Sequence, residues 1–172
     1  GFRRHHQSWT ESLRAAYQTF GPAAASRVLA PGRLSHSLFL FGMLQGLCSG
    51  AGVHVQQQFS AARALDTLAR DQARCLVAVP SQLQLMLNMA ERRKLASIKH
   101  TELILISGAR WMRARTPALQ QLFPQARIIE FYGASETSFV AWTEADAQLP
   151  PEVVGYPFDQ VEIAIHQAPA PG

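Results

Sequence analysis

Apolar positions along this chain follow two alternating rhythms. Residues 8–21 (SWTESLRAAYQTFG) place apolar side chains at helical spacing between a Ser/Thr start and a glycine stop, which predicts a helix. Residues 60–73 (SAARALDTLARDQA) repeat that rhythm, with Ser60 placed to cap the first turn. Residues 81–95 and 115–124 do so again. Residues 34–52 (LSHSLFLFGMLQGLCSGAG) are apolar all round, as in a buried helix with a glycine-rich exit. Between these lie short β-rich runs at 26–32, 53–58, 74–80, 102–108 and 127–133. RCLVAVP and ELILISG are continuously apolar, the pattern of strands covered on both faces.

Strands that alternate with helices of ten or more residues are the mark of right-handed βαβ units. The expected fold is therefore α/β, a largely parallel, doubly wound sheet flanked by helices. The rhythm changes near the end. SFVAWT (138–143) and VEIAIHQ (161–167) read as strands of a different kind, and QAPAPG as a linker or a cut end. We accordingly expect an α/β core over 1–150 and the start of a β-rich subdomain over 151–172.

Composition narrows this picture. With 172 residues, 48% hydrophobic and 16% charged, the chain suits one packed domain or part of a larger one. The net charge of +4 is almost all arginine, since Lys94 and Lys99 are the only lysines. These arginines are scattered, whereas a nucleic-acid arm would cluster them. Cys48 and Cys75 stand alone, as reduced thiols in a cytoplasmic protein do. No apolar run reaches the roughly 20 residues of a membrane span, and no signal peptide is expected. The opening GFRRHHQSW has no methionine and reads as an internal cut. His5 and His6, with Arg3 and Arg4, read as a surface start, because adjacent residues point apart and no third ligand is spaced for zinc.

In open parallel sheets, ligands bind beyond the carboxyl ends of the strands. Two loops at such ends carry chemistry: Ser107-Gly108-Ala109-Arg110-Trp111 and Tyr132-Gly133-Ala134-Ser135-Glu136-Thr137. One helix separates their strands, so the βαβ reading makes the loops neighbours. Gly108 and Gly133 allow close backbone approach. Ser107, Ser135 and Thr137 carry hydroxyls, and Glu136 is a hard oxygen ligand suited to magnesium. Tyr132 offers a flat face for a base. The set suits a nucleotide-metal complex. The plain structural alternative is that the glycines end strands, Ser135 caps a turn and Glu136 is solvated.

FYGASETS resembles the Tyr-Gly-x-[Ser/Thr]-Glu signature of the adenylate-forming, AMP-binding superfamily, which includes acyl-CoA synthetases, aryl-acid ligases, luciferases and peptide-synthetase adenylation domains. LILISGARWM is similar to its "GGAP" strand and loop, and APGRLSHSLFLFG to its acid-gate segment. EVVGYPFDQVEIAIHQ is similar to its later GxxGxPxxG region, and GFRRHHQSW to the stretch after its phosphate loop. The likeness is collinear over nearly the whole chain. It implies ATP or AMP, Mg²⁺ and coenzyme A as cofactors and co-substrate, and a small carboxylic acid as substrate. It further implies that Tyr132 stacks on adenine while Gly108 and Ala109, beside Ser107, line the adenine and acyl sites. Ser135 would bond the phosphate or acyl carbonyl, Glu136 would hold Mg²⁺, Gly133 and Ala134 would wall the pocket, and His36 would sit near the carboxylate.

The implied activity is ATP-dependent carboxylic acid–CoA ligation in the parent protein. The alternative is a non-catalytic acyl- or nucleotide-binding module on the same fold. The phosphate loop, a ribose-binding aspartate and a lysine-bearing lid are not in this sequence, so the piece alone is expected to be inactive and, with sheet neighbours removed, to self-associate. Glu130 stands where many relatives carry asparagine. Arg110 and Trp111 replace Pro-Leu; they are expected either to reshape the acid pocket or, as the favoured reading, to pack on the surface by stacking at the loop. LSHS has no carboxylate to pair with a substrate ammonium, which disfavours an amino acid and favours a fatty, aryl or other plain acid. His36 has a second reading, as a satisfied core histidine.

Overall fold

The computed structural model describes residues 3–70, 72–159 and 161–164. Among them the helical rhythm gives α1 (His6–Phe20), α2 (Ser37–Cys48), α3 (Ala61–Arg70), α4 (Pro80–Arg92) and α5 (Thr116–Leu122). The strands are β1 (Val28–Ala30), β2 (Val53–Val55), β3 (Cys75–Ala78), β4 (Leu103–Ile106), β5 (Arg127–Ala134), β6 (Ser138–Glu144) and β7 (Tyr156–Pro157).

Local chemistry sets the helix ends. α1 stops at Gly21, whose φ of 80° suits a residue without Cβ and whose N–H closes back on the Tyr17 carbonyl. Its start is capped by His5, where Nδ1 accepts from the Ser8 amide, so His5 works as a cap on an exposed start. The Ser60 hydroxyl accepts from the Arg63 amide at 3.4 Å, in its expected capping place. Pro80 opens α4, where its missing N–H costs nothing.

The strands assemble in the order β2-β1-β3-β4-β5-β6-β7. β2, β1, β3, β4 and β5 are mutually parallel, and β6 and β7 extend the sheet antiparallel. Successive residues of a strand point to opposite faces, and both faces here are covered. Leu29, Leu76, Ala78, Ile104, Ile106 and Ile128 pack against α3, α4 and α5 on one side. Val28, Val77, Leu103, Leu105 and Ile129 pack against Ala16, Phe20 and Phe41 of α1 and α2 on the other. That is the physical meaning of the continuous apolar runs, and the α/β, largely parallel, doubly wound arrangement expected from the sequence is the one observed. Among the described residues no helix is long and apolar enough to cross a membrane.

Three local features differ from expectation. β5 does not stop at Tyr132-Gly133. Its pairing shifts register between those two residues and continues to Ala134, then a turn at 135–137 leads into β6. This is a bulge within a hairpin, and the extra residue re-aims the side chains on either side of it. Residues 161–164 are not strand, and the remainder of VEIAIHQ lies outside the described residues. The short β7 instead continues the sheet through Tyr156 and Pro157, paired with Trp142 and Ala141. Trp111 does not stack at the surface. It is 3% exposed, packs into the core beside α5, and donates its indole N–H to the Thr116 hydroxyl at 2.9 Å.

The two cysteines differ as their burial dictates. Cys48 is exposed, whereas Cys75 lies in the sheet interior, and burial pushes its thiol up to about 12. It is an inert core group.

Candidate functional site

β4 and β5 are hydrogen-bonded neighbours, in register from Leu103↔Arg127 to Ile106↔Glu130. The loops that leave their carboxyl ends therefore emerge side by side, as the βαβ reading requires. Ser107 follows β4 directly and is buried, its amide reaching the Ala78 carbonyl at the end of β3. Gly108 takes φ 84°, and a Cβ there would lie 3.2 Å from Val79. On β5, a Cβ at Gly133 would run into the Ser138 carbonyl oxygen across the bulge. Both glycines are thus demanded by geometry, which keeps the plain structural account of them alive beside the functional one.

Three hollows surround these loops. The first is lined by Tyr132, 59% exposed, together with Gly108, Ala109, Arg110, Pro151, Val153 and Val154. An accessible ring in a hollow lined by backbone and two valines can hold a flat heterocycle.

The second hollow, of roughly 240 Å³, is ringed by the hydroxyls of Ser12, Ser37, Ser107, Ser135 and Ser138. Ser135 donates to Ser37 at 2.6 Å, tying the β5–β6 turn to the first turn of α2. Ser12 and Ser138 share a hydrogen bond of 2.6 Å, tying the same turn to α1. Beneath them Phe139 meets Phe41 and Phe131 edge-on, each at 5.1 Å. The result is a polar ring over an aromatic floor, suited to a small polar head carried on an apolar body.

The third hollow holds Glu136 and Thr137 on one side and Arg3, Arg4 and Arg14 of the α1 segment on the other. Glu136 is exposed in the 135–137 turn. Arg4, Ser12 and Ser138 line both this hollow and the serine-ringed one. Ser107 thus lines the serine-ringed hollow and Glu136 the adjoining one. Ser138 sits at φ 64°, a region costly for a residue with a Cβ. Such strain persists where the surroundings over-determine it, here through the Ser12 bond.

Two placements depart from expectation. His36 does not reach the serine-ringed hollow. It occupies the N-cap position of α2 with no side-chain capping bond, edge-on to Phe39 at 6.5 Å, in a separate hollow with Gly32 and Gln82. Ser37, one residue on and around the helix start, faces the serine ring instead. Arg4 was read as surface, yet it is a shared wall. Its guanidinium stacks on Trp9 at 4.2 Å and donates to the Ser8 carbonyl and the Ser12 hydroxyl, each at 2.8 Å. Burial pulls its pKa down from the usual arginine value. Its signal in the sequence is weak: Ser8 and Ser12 lie four residues apart on one face of α1, and Arg4 precedes the helix and reaches both.

Among the described residues no three His, Cys, Asp or Glu side chains gather around one point. That excludes a closed zinc-type cage there but fits magnesium, which is commonly held by one or two carboxylates together with substrate phosphates. Glu136, exposed in the turn beside Thr137, is a carboxylate that could hold such an ion.

Comparison with known proteins places this geometry. A family model described as AMP-binding enzyme matches residues 2–170. An uncharacterized acyl-CoA ligase, YhfT of Bacillus subtilis, is 33% identical over 168 residues, covering 97% of this chain and 34% of YhfT. A putative long chain fatty acid-CoA ligase, VraA of Staphylococcus epidermidis, is 32% identical over 164 residues, covering 94% of this chain and 34% of VraA. The chain thus spans about a third of the length of these relatives. Among solved structures, O-succinylbenzoate coenzyme A synthetase (MenE) of Bacillus subtilis in complex with AMP superposes with a TM-score of 0.77 at 19% identity, over 97% of this chain and 42% of that one. The amide bond synthetase McbA of Marinactinospora thermotolerans gives 0.77 at 21% identity, over 93% and 32%. At these identities the structural matches speak for the fold alone.

Proposed function

This chain belongs to the AMP-binding enzyme family, and from that premise we propose that its protein is an ATP-dependent carboxylic acid–CoA ligase with its adenylation site on the rim of β4 and β5. One observation carries the reading: Ser107-Gly108 and the Tyr132–Glu136 segment converge on adjoining hollows that suit a base, a phosphate with its metal, and an acyl head.

In the proposed reaction a carboxylate oxygen attacks the α-phosphorus of ATP, the bond to the leaving pyrophosphate breaks, and an acyl-adenylate forms. The thiol of coenzyme A then attacks the acyl carbon. AMP leaves and a thioester remains. Tyr132 stacks on the adenine, against the backbone of Gly108 and Ala109. Ser135 and Ser37 present hydroxyls to the phosphate or the acyl carbonyl, and Ser107 closes the floor between base and acid. Gly133 and Ala134 wall the acyl head without filling its space. Glu136 would hold Mg²⁺, which offsets phosphate charge when bound. Arg4 adds positive charge on the opposite wall, where negative charge gathers as pyrophosphate departs. Among the described residues no Asp or Glu lines the serine ring to pair with an ammonium, which favours a fatty, aryl or other plain acid as substrate.

The test is acid-dependent ATP–pyrophosphate exchange by the whole protein, over a panel of fatty, aryl and amino acids. Exchange is expected with a fatty or aryl acid and not with amino acids. The 172-residue chain by itself is expected to show none. A whole protein that binds AMP yet exchanges with no acid would instead be a non-catalytic binding module. Exchange by the isolated chain would refute the division of labour proposed for it.

A further inference from the structure

Arg113 is held by three hydrogen bonds near the site, and no step of the proposed chemistry uses it. It stands in the 3-10 turn Arg113–Arg115 between β4 and α5. Its Nε donates to Glu130 Oε1 at 2.7 Å, one Nη donates to the Pro150 carbonyl at 2.7 Å, and the other to the Val153 carbonyl at 2.8 Å. The ion pair is secluded, with side chains 10% and 13% exposed, whereas the Arg74–Glu102 and Arg127–Glu144 pairs are open to water. Burying such a pair costs desolvation that only good geometry and further hydrogen bonds offset, so it is poor evidence for stability alone. What it does secure is position.

The secured segment is the 150–153 turn, closed on itself by the Val153 amide and the Pro150 carbonyl. Pro151, Val153 and Val154 of this segment line the same hollow as Tyr132. The residues just before it bond locally, the amides of Leu149 and Gln148 donating to Asp146. Glu130 lies on β5 two residues before Tyr132, in register with Ile106 at the end of β4. One guanidinium thus joins the strand bearing the ring to the loop that lines the same hollow. Only a planar fork with three separately directed N–H groups does this, since a lysine ammonium has no fixed geometry.

We propose that Arg113 and Glu130 form a latch that sets the width of the slot between Tyr132 and the 150–154 segment, and thereby the affinity for the adenine moiety. Both are positioning residues. The proposal rests on the reading of that slot as the nucleotide site. It gives the secluded acid at 130 a task, since its carboxylate accepts from the Arg113 guanidinium.

The experiment measures AMP affinity by calorimetry and Michaelis constants for ATP and for the acid in the whole protein, for R113K, E130Q and the control E144Q, which loosens an exposed pair on the neighbouring strand. R113K and E130Q are expected to weaken AMP binding and raise the KM for ATP by about tenfold or more, as displacement of a binding wall by ~1 Å does. The KM for the acid should stay within about twofold. E144Q should change neither. Amide exchange over 148–154 should quicken in both latch variants. Unchanged AMP affinity in E130Q together with a lowered melting temperature would make the pair merely structural and overturn the latch. If the unaltered protein does not bind AMP, the reading of the slot fails and the latch with it, whereas AMP binding that is indifferent to both variants defeats the latch alone.

Discussion

Replacing Glu136 with glutamine is expected to lower acid-dependent pyrophosphate exchange by about 10²–10³-fold while leaving the melting temperature unchanged. Glu136 is exposed at the tip of the 135–137 turn, and glutamine keeps its size and hydrogen-bonding reach, so the packing below has no reason to respond. What disappears is a formal negative charge beside a triphosphate. Magnesium bound through phosphate oxygens and one or two carboxylates loses a fixed anchor. The loss falls on the step in which charge moves to pyrophosphate. The rate constant should therefore drop with little change in the KM for the acid, and raising Mg²⁺ should restore part of the rate. An E136Q protein exchanging within about twofold of the unaltered one would show that this carboxylate is only solvated.

The second large effect is structural. Phe20→Ala is expected to destabilise the protein by about 3–5 kcal/mol. Phe20 is 2% exposed and lies at the end of α1, its ring centroid 6.3 Å from those of Phe131, Phe139 and Trp142 and 5.7 Å from that of Phe158. Edge-to-face aromatic pairs are worth about 0.5–1.5 kcal/mol each beyond the area they bury, which places this site at the upper end of the range. Set against a typical total of 5–15 kcal/mol, the loss removes a large share of stability. The ring also supports the β5–β6 hairpin from below, so the serine ring above it should loosen as the core does. Urea unfolding measures the change, with Phe20→Leu as a milder companion. A cost below about 1 kcal/mol for Phe20→Ala would mean that the cluster collapses around the gap.

Much of the parallel layer was legible before any coordinates because its strands are buried on both sides. Cys75–Ala78 and Leu103–Ile106 are apolar at every position, and only a strand within a covered sheet, or a buried helix too short to exist here, has that pattern. The hairpin was harder to see. Tyr132-Gly133 has the composition of a strand end, but the bulge lets pairing continue, and a bulge depends on the partner strand β6 as much as on its own residues. β7 is two residues long and exists because Ala141 and Trp142 offer it an edge, whereas the stronger alternation beginning at Val161 finds no such partner over 161–164.

The candidate site divides along the same line. Ser107-Gly108 and Tyr132–Glu136 were readable because the short segments that carry them follow adjacent parallel strands. Arg4 and Ser12 were not, because they reach the turn from another element, across 126 positions of sequence in the Ser12–Ser138 bond. His36 and Ser37 part at the start of α2, where one residue of helical rotation decides which hollow a side chain enters. Arg113 and Glu130 are separated by a whole helix, and nothing in either one's neighbourhood announces the other.

The most direct measurement of the central claim is a crystal structure of the whole protein with AMP and Mg²⁺. The adenine is predicted to lie on Tyr132, in the slot closed by Val153 and Val154, with the phosphate directed toward Ser135 and Glu136. Nucleotide bound instead in the hollow of His36 and Gln82, beyond the ends of β1 and β3, would contradict the account.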